Sequence, residues 1–287
     1  MSPQVDSRPE VAFEVSDSQL LETLVAAAIE AGRAACVIYR SDFEVHTKQD
    51  ESPVTAADHA AEAVILARLA SAVPSIPVVA EEQVAAGNVP RIGSTYFLVD
   101  PLDGTKEFVQ RRGDFTVNIA LVRHGVPELG VVYAPAKARL FAGDVNARQA
   151  FRSEQSPDEQ GQAARTSMRV RTPPADGITV VASRSHRTPE TDAYLAQVKV
   201  SNLVSVGSSL KFCLIAAGEA DLYPRFGPTM EWDTAAGQAV LSAAGGTVVN
   251  VDGSPFRYGK AEFRNPSFIA TSSLTLLPQG PRPGLNA

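Results

Sequence analysis

Cysteine is scarce in this chain, and its scarcity excludes disulfide-based and thiolate-metal architectures. Cys36 and Cys213 are the two cysteines among 287 residues, and both stand in apolar, helix-like stretches. Neither has a cysteine or histidine partner at the spacing of a metal site, and two buried thiols make no disulfide framework. We therefore expect a reducing compartment.

Long apolar runs are missing too. No stretch approaches the roughly 18 apolar residues of a membrane span, and the N-terminal residues show no basic segment followed by an apolar one. We predict a cytoplasmic protein with no transmembrane segment, and peripheral membrane association stays open.

Basic residues are not in excess. The 26 Lys and Arg residues face 32 Asp and Glu residues, which leaves a net charge of −6. This balance argues against a nucleic-acid groove or an anionic membrane surface as the main partner. The hydrophobic content of 44% and the charged content of 20% are typical of a soluble globular protein.

Acidic residues end two predicted core strands. Glu81 and Glu82 follow the apolar "IPVVA", Asp100 ends "STYFLVD", and Asp103 comes one tight turn later. Acids at the ends of neighbouring strands converge on one rim of a sheet, where sites tend to form. The stretch "VDPLDGTKEF" therefore predicts a functional site.

Two further acids stand at predicted helix starts. Asp233, in "MEWDTAAGQ", is placed as an N-cap, and Asp58, in "PVTAADHA", lies in a first turn. No histidine or cysteine joins the set, so the hard oxygen ligands predict Mg²⁺, with carboxylates enough for two or more ions. Gly104, Thr105 and Lys106 offer N–H groups, a hydroxyl and an ammonium, which together suit a phosphate.

Competing hydrolytic chemistries fail against the same residues. The chain has no Walker loop, no Gly-x-Ser-x-Gly and no His-Glu-x-x-His. A phosphatase with an aspartyl nucleophile reads Asp-x-Asp-Gly-Thr, but Pro101 stands two positions before Asp103. Neither cysteine opens a phosphate loop that ends in arginine. Hydrolysis by metal-activated water remains.

Helical and strand patterns alternate along the chain. A capping-box pattern at Ser16 predicts the start of the first helix, and a second helix is predicted between Pro53 and Pro74. "FTVNIALVRHGVPELGVVYAP" predicts an antiparallel pair of strands. Residues 153–166 have almost no apolar content and indicate a linker. Beyond them, strands and helices alternate from "GITVVAS" to "GTVVNV", which predicts an α/β half.

These motifs together carry a resemblance to a known family. "AEE", "DPLDGTKEF" and "EWDTAAGQAVLSAAGG" resemble, in that order, the Mg²⁺-dependent, lithium-sensitive phosphatases that include inositol monophosphatase and fructose bisphosphatase. "DESPVTAAD", "ASRSH", "GSSLKFCLIAAGEADLYPRFGPTMEWDTAAG" and "NPSFIA" make the chain similar to the CysQ-type 3′(2′),5′-bisphosphate nucleotidases of the inositol monophosphatase superfamily. Two positions depart from expected patterns. Inositol monophosphatases usually read Thr-Asn-Phe where this chain has Lys106-Glu107-Phe108, and Ala80 stands where serine or glycine often precedes the glutamate pair.

The resemblance implies a fold and a division into domains. The expected class is α/β, arranged as a layered α/β/α/β/α sandwich of the inositol monophosphatase/fructose bisphosphatase type. Its N-terminal half is α+β and its C-terminal half is α/β. We predict an N-terminal domain over 16–152 with most metal ligands, a polar linker over 153–168, and a C-terminal domain over 169–275 that recognises the nucleotide and contributes Asp233.

The resemblance also implies roles for individual residues. The implied metal ligands are Glu81, Asp100, the carbonyl of Leu102, Asp103 and Asp233. The implied catalytic residues are Asp58 and Thr105, which orient and deprotonate the attacking water, together with Glu81. The implied substrate-binding residues are Glu81, Leu102, Asp103, Gly104, Thr105, Lys106, Ser208, Lys211, Arg225 and Asp233.

A nucleoside bisphosphate needs cations and donors for its second phosphate. "GSSLK" at a predicted helix start offers Gly207, Ser208, Ser209 and Lys211, of which Lys211 is the first choice. Arg225 adds a fork-shaped donor. The weaker candidates are Lys48, Arg184 and His186. His46, His59 and His124 follow no pattern and are assigned to surface or packing roles.

We therefore expect a Mg²⁺-dependent phosphatase that converts adenosine 3′,5′-bisphosphate to AMP and phosphate. By resemblance, it also acts on the sulfated form of that nucleotide and is inhibited by Li⁺. Two alternatives stay open, an inositol monophosphatase or broad sugar phosphatase with the same metals, and a non-catalytic metal-binding regulatory protein on the same fold. The expected partner is a small nucleoside bisphosphate, and a homodimer is left open.

Overall fold

The computed structural model describes residues 15–47, 53–182 and 188–277. The first half of the chain builds most of one large sheet and two long helices. Its elements are α1 (Asp17–Tyr39), β1 (Val45–Thr47), β2 (Pro53–Thr55), α2 (Ala56–Ala72), β3 (Val78–Ala80), α3 (Glu81–Ala85), β4 (Thr95–Asp103), α4 (Thr105–Val109), β5 (Thr116–Arg123), β6 (Val126–Ala134), β7 (Arg139–Asp144) and β8 (Gln149–Glu154).

The remaining elements complete that sheet and build a second one. They are β9 (Arg165–Ser167), β10 (Ile178–Ala182), α5 (Pro189–Leu195), β11 (Val200–Ser205), α6 (Leu210–Ala216), β12 (Leu222–Arg225), β13 (Thr229–Met230), α7 (Ala235–Ala243), β14 (Thr247–Asn250), β15 (Arg264–Asn265) and β16 (Phe268–Thr271). Three short 3₁₀ turns lie at Pro135–Lys137, Ala261–Phe263 and Leu274–Leu276.

The first layer consists of α1 and α2, packed on one face of the seven-stranded sheet β3-β4-β5-β6-β7-β8-β9. The predicted capping box of α1 is confirmed, since Ser16 and Gln19 bond reciprocally. The apolar stripes of α1 and α2 face the sheet; Leu24 and Ile65, for example, have no exposed surface. Burial of such large side chains contributes about 1.5–3 kcal/mol each to folding.

The middle layer consists of α6 and α7, which lie between the two sheets in one continuous core. Glycine permits the close approach of α7 to the large sheet. A Cβ atom on Gly130 of β6 would lie 2.5 Å from the carbonyl oxygen of Ala236, and one on Gly143 of β7 would lie 2.8 Å from Cα of Val240. Helix α7 is therefore seated directly on the backbone of β6 and β7.

The second sheet has five strands in the order β11-β10-β12-β16-β14, and α5 covers its outer face through Tyr194 and Leu195. The order of layers is thus helix, sheet, helix, sheet, helix. The predicted α/β class and its layered α/β/α/β/α sandwich are confirmed. The strand pair β5–β6 is also as predicted. Both faces of β5 are buried, however, because helices cover the large sheet on both sides.

The polar segment 153–168 contains more regular structure than its composition indicates. Strand β8 runs to Glu154, and β9 pairs with β8 at the edge of the large sheet. Two arginines bind the loop between these strands. Arg33 of α1 donates to the carbonyl oxygen of Pro157, and Arg40, which caps the end of α1, makes two 2.7 Å hydrogen bonds to Asp158. The division into two domains stays a prediction.

Two sequence-based placements need correction. The helix predicted over "SLKFCLIAAGEA" is shorter, Leu210–Ala216, because the chain turns at Gly218 with positive φ. Strand β4 does not end at Asp100 but continues to Asp103. Separately, none of the helices in the described ranges has the length and apolar character to cross a membrane.

Candidate active site

Glu81 and Asp100 meet because β3 and β4 are parallel neighbours. Ala80 pairs with Val99, so the residues that follow them, Glu81 and Asp100, emerge at the same edge of the sheet. The predicted convergence of acids on one rim is therefore observed for this pair. Burial first, and then the charge of Glu81, raise the pKa of Asp100.

A bulge in β4 brings Asp103 to the same face as Asp100. Asp100 pairs with Asn118 and Asp103 pairs with Thr116, so β4 advances three residues while β5 advances two. Side chains alternate along a strand, and three residues would normally reverse the face. The extra residue in the bulge restores it. This explains the spacing of the two aspartates around Pro101 and Leu102.

Asp233 arrives from the other half of the chain. It was predicted as an N-cap, which is wrong, because α7 begins at Ala235 with Thr234 as its N-cap residue. Oδ2 of Asp233 instead accepts from the backbone N–H of Met230 at 2.8 Å. That bond closes a turn before the helix and holds the carboxylate beside the acids of the large sheet.

The four carboxylates form an electrostatically strained group. Burial, and then the charges of Glu81, Asp103 and Asp233, raise the pKa of Asp100 well above its usual value. Burial and the charges of Asp103 and Glu81 do the same for Asp233. Burial raises the pKa of Asp103 as well, opposed by the ammonium of Lys211. Repulsion of this kind is relieved by a bound cation.

The donor set fits a hard divalent cation. Glu81, Asp100, Asp103 and Asp233 offer oxygen ligands of the type that Mg²⁺ prefers. In the described part of the chain, no group of three or more His, Cys, Asp or Glu side chains has the geometry of a complete metal site. The acids interact through their charges instead. Their assignment as ligands, with the carbonyl of Leu102, stays a prediction.

Thr105 and Asp58 are brought together by a capping box on α2. Both the backbone N–H and the hydroxyl of Thr55 lie 2.8 Å from Oδ2 of Asp58. Its Oδ1 is left facing Thr105, whose hydroxyl lies 3.3 Å away and also 3.3 Å from the carbonyl oxygen of Leu102. The chain reaches this geometry through Gly104, whose φ of +94° suits glycine.

A cleft of about 260 Å³ opens beside these groups. Ten of the predicted site residues line it: Glu81, Asp103, Gly104, Thr105, Lys106, Gly207, Ser208, Lys211, Arg225 and Asp233. Asp58, Asp100 and Leu102 are each at most 2% exposed and do not line it. Acids and cations line the same cleft: the acids include Glu81, Asp103 and Asp233, and the cations are Lys106, Lys211 and Arg225.

Lys211 is a buried cation in the lining of the cleft. Its ammonium donates to the carbonyl oxygen of Ser208 at 2.5 Å and lies 5.2 Å from the ring centre of Tyr223. Burial lowers its pKa to about 8, although the nearby carboxylate of Asp103 acts in the opposite direction. The side chain is thus a cation that is easily neutralised.

Arg225 and Ser208 carry unused donors beside Lys211. Nη2 of Arg225 donates to the carbonyl oxygen of Pro228 at 3.0 Å. Considering the described residues only, buried Nε of Arg225 and Oγ of Ser208 find no hydrogen-bond partner. A buried donor without a partner costs about 1–3 kcal/mol, so both atoms favour a polar ligand in the cleft.

The hydroxyl of Ser209, which was predicted as part of an anion site, already has partners inside the protein. It donates to the carbonyl oxygen of Asp233 and accepts from the side chain of Asn118. Gly207 lines the cleft, as predicted, and also allows close packing, since a Cβ there would lie 2.9 Å from the carbonyl oxygen of Asp114. Lys48, Arg184 and His186 lie outside the described residues. His46, His59 and His124 do not line the cleft.

The residues that the sequence reasoning missed in this region include Asn118, Glu107 and Tyr223. Asn118 donates 3.3 Å to Asp103 and 3.0 Å to Ser209, and an amide inside an otherwise apolar strand was the available signal. Glu107 and Tyr223 line the cleft, each with little exposed surface. Tyr223 reads as an ordinary core residue in the sequence, and only its contact with Lys211 distinguishes it.

Known proteins resemble this chain in sequence. The family model described as "Inositol monophosphatase family" matches residues 16–277. The 3′(2′),5′-bisphosphate nucleotidase CysQ of Salmonella typhimurium is 46% identical over 256 residues, which cover 88% of this chain and 99% of that protein. CysQ of Escherichia coli strain K12 is 45% identical over 252 residues, 87% of this chain and 98% of that protein.

Solved structures agree with these matches. The crystal structure of CysQ from Bacteroides thetaiotaomicron has a TM-score of 0.73 and 40% identity, covering 88% of this chain and 96% of that one. An inositol monophosphatase from Anabaena has a TM-score of 0.70 and 26% identity, covering 90% and 92%. The resemblance drawn from the sequence motifs is confirmed. The chain belongs to the inositol monophosphatase family.

Proposed function

We propose that this protein is a Mg²⁺-dependent 3′(2′),5′-bisphosphate nucleotidase that hydrolyses the 3′-phosphate of adenosine 3′,5′-bisphosphate to AMP and phosphate. The observation that carries the proposal is the cleft itself, which Glu81, Asp103 and Asp233 line together with the buried cations Lys211 and Arg225. A substrate with two phosphates needs metal-binding acids for the phosphate that is cleaved and cations for the other phosphate. The similarity to curated CysQ proteins supports the same assignment.

Glu81, Asp100, the carbonyl of Leu102, Asp103 and Asp233 would hold the Mg²⁺ ions. Bound Mg²⁺ lowers the pKa of water and neutralises charge on a phosphoryl group. The protein's part is to keep four acids together despite their repulsion. Sheet register fixes three of them, and the turn before α7 fixes Asp233.

Thr105 and Asp58 would move the proton of the attacking water. The hydroxyl of Thr105 accepts that proton as its own hydrogen passes to Oδ1 of Asp58, 3.3 Å away. The oxygen of the water then forms the new bond to phosphorus, the bond to the 3′-oxygen breaks with its electron pair on that oxygen, and a solvent water supplies the proton that makes it the 3′-hydroxyl of AMP. Asp58 suits this role because Thr55 holds its other oxygen in place.

Lys211, Arg225 and Ser208 would receive the second phosphate. Nε of Arg225 and the hydroxyl of Ser208 are donors that have no hydrogen-bond partner among the described residues, and Lys211 supplies a positive charge. Hydrogen bonds to charged groups contribute about 1.5–3 kcal/mol each. Lys106 and the N–H groups of Gly104 and Thr105 would bind the phosphate that is cleaved. By family resemblance, the sulfated nucleotide is a second substrate and Li⁺ an inhibitor.

The proposal is tested by measuring phosphate release from adenosine 3′,5′-bisphosphate and from inositol 1-phosphate in parallel, with Mg²⁺ and with or without Li⁺. We expect kcat/KM to favour the nucleotide strongly and Li⁺ to abolish the activity. A preference for the inositol ester would reject the nucleotide assignment and leave an inositol phosphatase. Mg²⁺ binding without phosphate release from either ester would indicate a regulatory metal-binding protein instead.

A further inference from the structure

The helix that presents Glu81 lacks a cap of its own. Helix α3 begins at Glu81, and its N-cap residue is Ala80, which makes no side-chain cap hydrogen bond. The first N–H groups of any helix have no partner inside the helix and need an acceptor elsewhere. Alanine offers no oxygen for this purpose, in contrast to serine, threonine, aspartate or asparagine.

Glu62 of α2 supplies the missing acceptor from another helix. Its Oε2 accepts from the backbone N–H of Glu82 at 2.9 Å, and its Oε1 accepts from the side-chain amide of Gln83 at 3.1 Å. Glu62 is 3% exposed, so these bonds are shielded from water. Both oxygens of the carboxylate are thereby tied to the first turn of α3.

Glu62 shares its helix face with Asp58. The two residues are four apart on α2, and four residues bring side chains to the same face of a helix. Asp58 reaches Thr105 at the start of α4, and Glu62 reaches the start of α3. One face of α2 therefore holds two elements of the candidate active site in fixed relation.

We infer that Glu62 is a positioning residue that caps α3 and thereby holds the carboxylate of Glu81 toward Asp100. Glu62 does not line the cleft and has no contact with substrate in this scheme. The inference rests on the proposed function, since it concerns the ability of Glu81 to hold Mg²⁺. It assigns Glu62 to the hydrogen-bonded support behind a ligand, where substitutions typically lower metal affinity 10- to 100-fold.

The test measures Mg²⁺ binding by calorimetry without substrate, together with thermal unfolding and steady-state kinetics. Glu62→Met keeps the size of the side chain but removes both acceptors, and we expect at least a roughly 10-fold weaker Mg²⁺ affinity. Glu62→Gln keeps a carbonyl for Glu82, and its amide pairs with Gln83 after that side chain turns over. Its affinity should stay within about threefold of wild type, which is well short of that loss.

A second substitution separates capping from general stability. Ala80→Ser in the Glu62→Met background places a hydroxyl at the N-cap, and it should recover most of the lost affinity. The matched control is Asp144→Leu, at the end of β7, which lies three strands away from β4 in the large sheet. It removes a buried carboxylate that accepts a hydrogen bond from the backbone N–H of Ala147. It should lower the unfolding temperature and leave Mg²⁺ affinity unchanged.

The outcomes are distinct. Unchanged Mg²⁺ affinity in Glu62→Met, equal loss in Asp144→Leu, or no recovery from Ala80→Ser would each overturn the role of Glu62. If Glu62→Met does not fold, the double variant Ala80→Ser/Glu62→Met is measured in its place: Mg²⁺ affinity close to wild type supports the role of Glu62, and a roughly 10-fold loss contradicts it. Wild-type protein that binds no Mg²⁺ would reject the proposed function itself.

Discussion

The hydroxyl of Ser209 donates to the main-chain carbonyl oxygen of Asp233 at 2.6 Å, and the amide of Asn118 donates to that hydroxyl at 3.0 Å. The same amide reaches Asp103. A strand of the large sheet is thus joined to the two segments of the second half that border the cleft. This chain of bonds fixes Asp233 relative to Asp103, which no local element does.

Ser209→Ala should therefore affect the site as well as stability. Loss of the hydroxyl removes the donor to the carbonyl of Asp233 and one of the two acceptors of the Asn118 amide, at a cost of about 1–3 kcal/mol in unfolding free energy. We expect kcat to fall about tenfold or more, because a small displacement of Asp233 disturbs the alignment of the reacting groups.

The matched control is Ser201→Ala, whose hydroxyl donates to the carbonyl of Gly177 between β10 and β11. Chemical denaturation should show a loss in both variants, with kcat lowered in Ser209→Ala alone. Equal kinetics in the two variants would contradict a positional role for Ser209.

Removing either member of the Thr105–Asp58 pair should lower kcat with little change in Mg²⁺ affinity. General acid–base groups typically contribute 10²–10⁴-fold, so we expect at least about 100-fold for Thr105→Val and for Asp58→Asn. The double variant should be no slower than the worse single one, because the two groups act as a unit. Steady-state kinetics and metal calorimetry measure both quantities.

Thr188→Val, at the N-cap of α5, is a control for loss of a capping threonine outside the cleft. Thr105→Ser should retain much of the rate, since it keeps the hydroxyl. Strictly additive losses in the double variant would indicate that the two residues act independently.

Asp100→Asn should stabilise the metal-free protein. Burial and the neighbouring acids raise the pKa of Asp100, which means that its negative charge opposes folding near neutral pH. Asparagine keeps the oxygen that accepts from the N–H of Leu102. We expect a gain of at least about 1 kcal/mol, or roughly 2–4 °C, when unfolding is followed in EDTA.

In the same variant, Mg²⁺ should no longer raise the unfolding temperature, and turnover should be lost. Asp144→Asn, at a carboxylate remote from the acids, should give no gain in EDTA. A lower unfolding temperature for metal-free Asp100→Asn would show that repulsion among these carboxylates is not the dominant effect.

Lys211 should give kcat/KM an alkaline limb near pH 8. Burial lowers its pKa to about 8, so the ammonium loses its proton, and its attraction for phosphate, as the pH rises through that value. The limb reports the free enzyme and should appear in kcat/KM. Lys211→Met should remove it and lower kcat/KM at pH 7 by about 10- to 100-fold, as expected for a hydrogen bond to a charged group.

Lys211→Arg keeps its charge throughout this range, and its profile should stay flat past pH 8. The comparison uses identical Mg²⁺ and ionic strength at each pH. An alkaline limb that persists unchanged in Lys211→Met would assign it to a different group.

Much of the architecture was predictable because local sequence patterns indicate its helices and strands. The capping box at Ser16 and the apolar stripe around Leu24 predict α1, and both are observed. Glu81, which follows "IPVVA", and Asp100, which ends "STYFLVD", were expected at one rim of a sheet, and the pairing of β3 with β4 places them there. Motif similarity extended these local signals to the family and to the layered sandwich.

Other features could not be predicted from the sequence, and the reasons are physical. Asp233 looks like an N-cap because the residues after it are helical, yet the choice between Asp233 and Thr234 depends on the bond from Met230. Ser209 stands in a glycine- and serine-rich helix start that resembles an anion site, but its hydroxyl is taken by Asp233. Such competition for hydrogen-bond partners is settled by groups distant in the chain.

The sequence alone determined the kinds of groups available: oxygen ligands for a hard cation, a threonine beside an acid-rich turn, and cations in the second half. Only the tertiary structure decided their arrangement. The bulge in β4 turns Asp103 to the face of Asp100, Glu62 caps a helix that Ala80 cannot, and burial makes Lys211 a weak base. Each of these results depends on contacts between residues far apart in the chain, which local propensity and spacing do not encode.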